Sequence, residues 1–161
     1  MTRVREPVRA ASALRRAAIA IATLAWMASA TAAAVDVTPP LRVVGDGIPA
    51  PLGTTAGDAA RGWALIIARA SANCVLCHAV PDHAVRFAGN VGPPLAGVGT
   101  RFTTAQLRLR VADSLRINPD SVMPSYYKVS GLDRVAEPYT GKPILTAAEV
   151  EDVVAWLGTL R

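Results

Sequence analysis

Cys74-Val75-Leu76-Cys77-His78 places two thiols three positions apart, with an imidazole directly after the second. Thiols at this spacing can each form a thioether to one of the two vinyl groups of a single haem, and the adjacent histidine then lies under the iron as its proximal ligand. Two other chemistries use paired cysteines. A zinc site needs about four ligands, but there is no third cysteine, and His83 is the one other histidine. A redox dithiol of the thioredoxin kind belongs in a βαβ setting and gives the histidine no task. Attachment of one haem c uses all three side chains. It also takes both cysteines, so no disulfide framework is left to find.

An iron held by one protein ligand is open for ligand chemistry, whereas one closed by a second axial residue is suited to electron transfer. Met123, within Val122-Met123-Pro124, is the one methionine beyond residue 27. It follows Asn118-Pro119, a dipeptide that ends a helix, and so stands in a loop able to reach the far face of a haem. The alternative is an ordinary core methionine. His83 lies too close to His78 in sequence to pass around a haem, and is expected at the surface or the haem edge. With His78 and Met123 both bound, the iron is saturated and its potential raised, which favours electron transfer over oxygen or peroxide chemistry.

The elements that position these residues begin after a segment to be set aside. Arg3, Arg5, Arg9, Arg15 and Arg16 form a basic region, Ala17 to Met27 an apolar one, and Ala32-Ala33-Ala34 a small-residue cleavage site. That pattern is a cleaved secretory signal over residues 1–34. The apolar run is too short for a membrane anchor. Of the net charge of +5, most leaves with this segment, because it holds five arginines against one glutamate. No basic stripe remains to suggest nucleic acid. Residues 35–161 suffice for one domain around one core. Export to the periplasm agrees with haem c, which is attached outside the cytoplasm.

Residues 35–57 are rich in proline and glycine and lack a helical period. They are expected to form an extended arm laid on the domain or on a partner; a disordered lead-in is the alternative. A helix is expected from Asp58 to Ser71, with Thr55 and Asp58 at capping-box spacing and Trp63, Ile66, Ile67 and Ala70 on one face. Residues 79–100 read as a long loop, uncommon without a task; wrapping a haem edge is one. A second helix starts at Thr103, boxed with Gln106, stacks Leu107, Val111 and Leu115, and ends at Asn118-Pro119. The last runs from the Thr146/Glu149 box through Val150, Val153, Val154, Leu157 and Leu160, flanked by Trp156. No run alternates like a strand, so the domain over 58–161 is all-α with large loops.

Taken together, the leading helix, the C-x-x-C-H run, Gly92-Pro93-Pro94-Leu95, Met123-Pro124 and the amphipathic last helix resemble the His/Met class I cytochromes c. The resemblance implies that the Pro93 carbonyl accepts a hydrogen bond from the second ring nitrogen of His78, orienting it and making it a stronger donor. It also implies packing of Gly62 against Trp156, and a haem-propionate contact for Arg101, for which a plain surface arginine is the alternative. More specifically, Val44-Gly45-Asp46-Gly47-Ile48-Pro49, Gly89-Asn90-Val91-Gly92-Pro93, Ile117 to Tyr127 and Gly141-Lys142-Pro143-Ile144-Leu145-Thr146 are similar to the monohaem SoxX subunits of the periplasmic thiosulfate-oxidising Sox system.

That resemblance implies a heterodimer with a second haem subunit of the SoxA type, a sulfur-carrier protein acting at the complex and a downstream electron acceptor. With no cysteine beyond the haem-binding pair, this chain has no thiol for covalent sulfur chemistry. Its share is to accept and relay electrons, the sulfur-handling residue being on the partner. Tyr126 and Tyr127 are candidates either for the partner interface or for packing on the distal edge of the haem. A free-standing electron carrier and an open-iron sensor or peroxidase are the competing functions.

Overall fold

Each long helix of this chain starts on a side chain that satisfies amide groups the first turn leaves free. Helix α1 is Ala59–Ile67, α2 the single turn Val98–Arg101, α3 Thr104–Ala112 and α4 Ala147–Thr159. Both later capping boxes form as expected, Thr103 with Gln106 and Thr146 with Glu149. At α1 the cap is Asp58 itself, whose carboxylate accepts from the Arg61 amide at 2.8 Å, in place of a Thr55 box. The computed structural model describes Thr38 and residues 40–161, all within the compact unit Asp36–Arg161. The secretory signal expected over residues 1–34 lies outside the described residues.

α1 is shorter than its sequence pattern. The chain leaves the helix at Ala68, and the Asn73 amide closes back on the Ala68 carbonyl at 3.0 Å, turning the backbone toward Cys74. Ile67 is 40% exposed, so the buried face reduces to Gly62 and Ile66, with Trp63 beside them. Gly62 sits where α1 crosses α4: a Cβ there would collide with the Asp152 carbonyl and meet the Trp156 Cβ at 2.9 Å. The close approach stacks Trp63 on Trp156, with ring centroids 5.2 Å apart, a geometry that adds to the area both rings bury. Asp152 completes the crossing by accepting a two-pronged bond from Arg61 (2.8 Å each) and one from the Asp58 amide (2.7 Å). The guanidinium holds the Asp152 carboxyl below the usual carboxylate range, helped by the Asp58 amide and opposed by burial.

The α3 helix ends at Ala112, earlier than Asn118-Pro119 suggests, and a 3-10 turn, Ser114–Arg116, takes its place. Three consecutive residues of α3, Leu107, Arg108 and Leu109, are buried, which no one-sided helix would allow. The reason is the proline- and glycine-rich segment, which covers the side of α3 away from the core. Ile48 is 1% exposed and its amide donates to the Ala105 carbonyl at 2.9 Å. Gln106 reaches Asp46 at 2.7 Å. Arg108 pairs with Glu151 of α4 (2.7 and 2.9 Å) and donates to the Ile48 carbonyl at 2.6 Å, while the Leu52 amide donates to Glu151 at 2.9 Å. From residue 41 onward this segment is thus part of the domain's packing. Val44 and Gly47 make an isolated bridge, and no strand occurs among the described residues.

Candidate functional site: a haem cleft between two loops

The Cys74–Leu76 segment is a 3-10 turn entered through Asn73, which adopts a left-handed conformation (φ 46°). The Cys77 and His78 amides both close on the Cys74 carbonyl, at 3.1 and 2.9 Å, so one tight turn presents both sulfurs and the imidazole. The loop after it doubles back along this turn. Gly89 donates to Val75 and Gly92 to Cys77, each at 2.8 Å, and Leu95 to Ala79 at 2.9 Å. The His78 Nδ1 lies 2.7 Å from the Pro93 carbonyl, and an N–H there donates to it, leaving Nε2 as the free ligating nitrogen. Gly92 has to be a glycine: a Cβ would enter the His78 ring.

Across from this turn, Met123 is presented by a loop hung on the end of α3. The Ser114 hydroxyl donates to the Met123 carbonyl at 2.6 Å, and the Met123 amide donates to Ser121 at 3.1 Å. Ser125 bonds buried Asp113 at 3.0 Å, whose other oxygen is 3.4 Å from Lys128. Between the two loops is a narrow, partly open cleft. Cys74, His78 and Met123 line it together with Ile66, Leu95, Val111, Tyr126, Leu145, Val153 and Leu157. An apolar slot with an imidazole and a thioether on its walls, the Cys74 sulfur beside them, Cys77 on the same turn and a glycine cradle behind the imidazole fits a haem.

The same residues argue against the other readings of the cysteine pair. Burial pushes the Cys74 thiol up to about 11, only partly offset by the neighbouring Tyr126 hydroxyl. A redox-active or metal-binding cysteine needs the opposite shift. Among the described residues no cluster of three or more histidine, cysteine or acidic side chains could hold a bare metal ion. His83 is exposed, as expected.

One of the two readings of Tyr126 and Tyr127 falls away. Tyr126 and Tyr127 are 7% and 3% exposed, so the interface reading of these tyrosines does not hold; they are drawn inward because the chain after Met123 pairs its amides with the Val111 and Ala112 carbonyls. Tyr126 lines the cleft, and its hydroxyl donates to the Ala72 carbonyl at 2.9 Å. Burial, with the Cys74 sulfur alongside, raises the Tyr126 phenol well above its ordinary range. Arg101, at the exposed end of α2, donates to the Ala96 carbonyl at 2.7 Å and the Pro94 carbonyl at 3.2 Å, bracing the loop that offers Pro93 to His78. Sequence reasoning missed that bracing, and also missed Ser114 as a support of the cleft, whereas packing at the haem edge was one of its two readings of Tyr126. For Ser114 no sequence signal exists, because its partner is fixed by the fold.

Comparison with known proteins bears on this site. The family model for cytochrome c matches residues 59–161. A chain of the crystal structure of SoxXA from P. pantotrophus is 38% identical, with a TM-score of 0.68, covering 74% of this chain and 93% of that one. Among curated proteins there is no significant match.

Proposed function

Because the chain belongs to the cytochrome c family, we propose that it is the monohaem electron-transfer subunit of a SoxXA-type complex that oxidises thiosulfate. In such a complex thiosulfate is joined oxidatively to a cysteine of a carrier protein, and this chain accepts the electrons and passes them to a downstream acceptor. Haem c supplies the one-electron chemistry. The observation that carries the electron-transfer reading is the pairing of His78 and Met123 on the walls of one apolar cleft. Cys74 and Cys77 would hold the haem covalently and His78 and Met123 would bind its iron, while Pro93 fixes the imidazole through its 2.7 Å contact to Nδ1. A ligand pair of this kind raises the potential and leaves no open position for oxygen or peroxide. The apolar walls exclude water, which limits the change in solvation that accompanies each electron.

Residues 1–34 act as a secretory signal removed on export, residues 35–57 as the arm and 58–161 as the cytochrome domain, with the periplasm as destination. No helix among the described residues is long and apolar enough to cross a membrane. Identity of 38% over 93% of a SoxXA chain supports a SoxA-type haem subunit as partner. With both cysteines committed to haem, the sulfur-bearing residue belongs to that partner. Arg101, whose guanidinium also engages the Ala96 and Pro94 carbonyls, would contact a haem propionate.

Affinity purification of the chain from the periplasm of thiosulfate-grown cells, followed by haem staining, tests the assignment. A second haem protein in equal amount is the expected result. A chain that emerges alone with reversible His/Met redox behaviour is instead a free-standing carrier.

A further inference from the structure

The two loops that face each other across the cleft are built as separate blocks. On one side the Met123 loop is locked to the end of α3: Ser114 holds the Met123 carbonyl at 2.6 Å, Asp113 holds Ser125 at 3.0 Å, and the Tyr126 and Tyr127 amides donate to Val111 and Ala112 at 3.2 Å each. On the other, the haem-attachment turn is locked to the loop behind it through Gly89, Gly92 and the His78–Pro93 contact. Tyr126 belongs to the first block by its backbone and reaches the second by its side chain. Its ring forms part of the cleft wall beside Cys74 and Met123, and its hydroxyl donates to the Ala72 carbonyl at 2.9 Å. Ala72 is 5% exposed and precedes Asn73, whose left-handed backbone starts the turn that carries Cys74. The Tyr126 hydroxyl thus bears directly on the peptide that aims the attachment turn.

We propose that Tyr126 is a positioning residue for the axial ligand pair: its hydroxyl ties the Met123 block to the attachment turn, sets the width of the cleft and so keeps Met123 within reach of the iron. This rests on the assignment of His78 and Met123 as ligands. A hydrogen bond in water-poor surroundings resists opening because the carbonyl it leaves has no ready replacement. Without it, the Met123 block separates more readily, and an external ligand competes better for the sixth position.

The test is Tyr126→Phe in the haem-loaded protein, with imidazole as the probe. Titrating the ferric protein displaces the methionine, which is followed by loss of the iron–sulfur charge-transfer band. Loss of one buried hydrogen bond predicts about tenfold tighter apparent imidazole binding than in the unsubstituted protein. Thermal midpoints are read alongside. A variant that keeps the band and melts earlier, but binds imidazole as weakly as the parent, has lost only a structural bond, and overturns the proposal. If the unsubstituted protein itself lacks the band, the ligand assignment fails, and the proposal fails with it.

Discussion

Glu151→Gln keeps the shape of a side chain on α4 while removing its charge, and the structure sets how much that should cost. Arg108 and Glu151 have side chains only 5% and 6% exposed, and they meet through two charge-assisted bonds of 2.7 and 2.9 Å. In the variant an amide –NH₂ group replaces one acceptor, so a donor faces a donor. The guanidinium cannot shed its proton in response. It stays charged with the Ile48 carbonyl, at 2.6 Å, as its strongest remaining partner. Removing one partner of a buried pair costs about 3–5 kcal/mol, a large share of the roughly 5–15 kcal/mol that holds a domain folded. With a urea dependence of about 1–3 kcal/mol per molar, the unfolding midpoint should fall by roughly 2 M. Urea unfolding of the haem-loaded protein, followed by tryptophan emission and by circular dichroism, reads this directly. The double variant Arg108→Met with Glu151→Leu should lose less than the single variant, because no buried charge is left unpaired, but should stay below the parent, because the Leu52 amide and the Ile48 carbonyl lose their partners. A fall of under about 0.5 M in the single variant would refute the argument, because it would mean that the pair is hydrated.

Met123→Ala should abolish the iron–sulfur charge-transfer band and lower the reduction potential; an unchanged spectrum and potential in folded protein would show that another group binds the iron. Asp152→Asn should be less stable than the parent at about pH 6, with the gap closing in acid, below the ordinary carboxylate range. The sign follows from a folded pKa below the unfolded value of about 3.9: the carboxylate's contribution is complete above that value and disappears as pH falls through the depressed one. Urea midpoints at both pH values check it, and a gap that persists in acid contradicts it. Gly62→Ala places a methyl group into the Asp152 carbonyl. It should cost about 3 kcal/mol and lower the thermal midpoint by roughly 10 °C or more; an unshifted midpoint would mean the helices separate without penalty.

Features confined to a few neighbouring residues could be read from the sequence. The attachment turn, the two capping boxes and the buried stripe of α4 are local patterns whose physics does not depend on the rest of the chain. The Pro93 contact to His78, 2.7 Å in the structure, was implied by the resemblance to class I cytochromes c, and Met123 was singled out as the one methionine beyond residue 27. Illegible were the contacts that depend on distant segments. The Arg108–Glu151 pair spans 43 residues and its bond to Ile48 spans 60, and an arginine in the middle of α3 looks like an ordinary solvent-facing residue until the arm covers it. Tyr126 and Tyr127 likewise resemble surface aromatics because their burial follows from the return of the chain along α3. At α1 two acceptors compete for one cap, and the nearer, Asp58, prevails because its carboxylate reaches the Arg61 amide while its own N–H is taken by Asp152.

The crossing of α1 and α4 at Gly62 and the clasp of Glu151 on Leu52 make α4 a partner of both the arm and α1. A polypeptide crossing a membrane from its amino end would deliver the arm and α1 long before the helix that covers them. Until residues 147–159 arrive, Ile66 and Trp63 have no α4 against which to pack. The attachment turn follows α1 directly, so the thiols emerge while the cleft is still unfinished and can be approached from several sides. Completion of the last helix is then the event that closes the interior, and a chain cut short by even its final two turns would be left open to proteases.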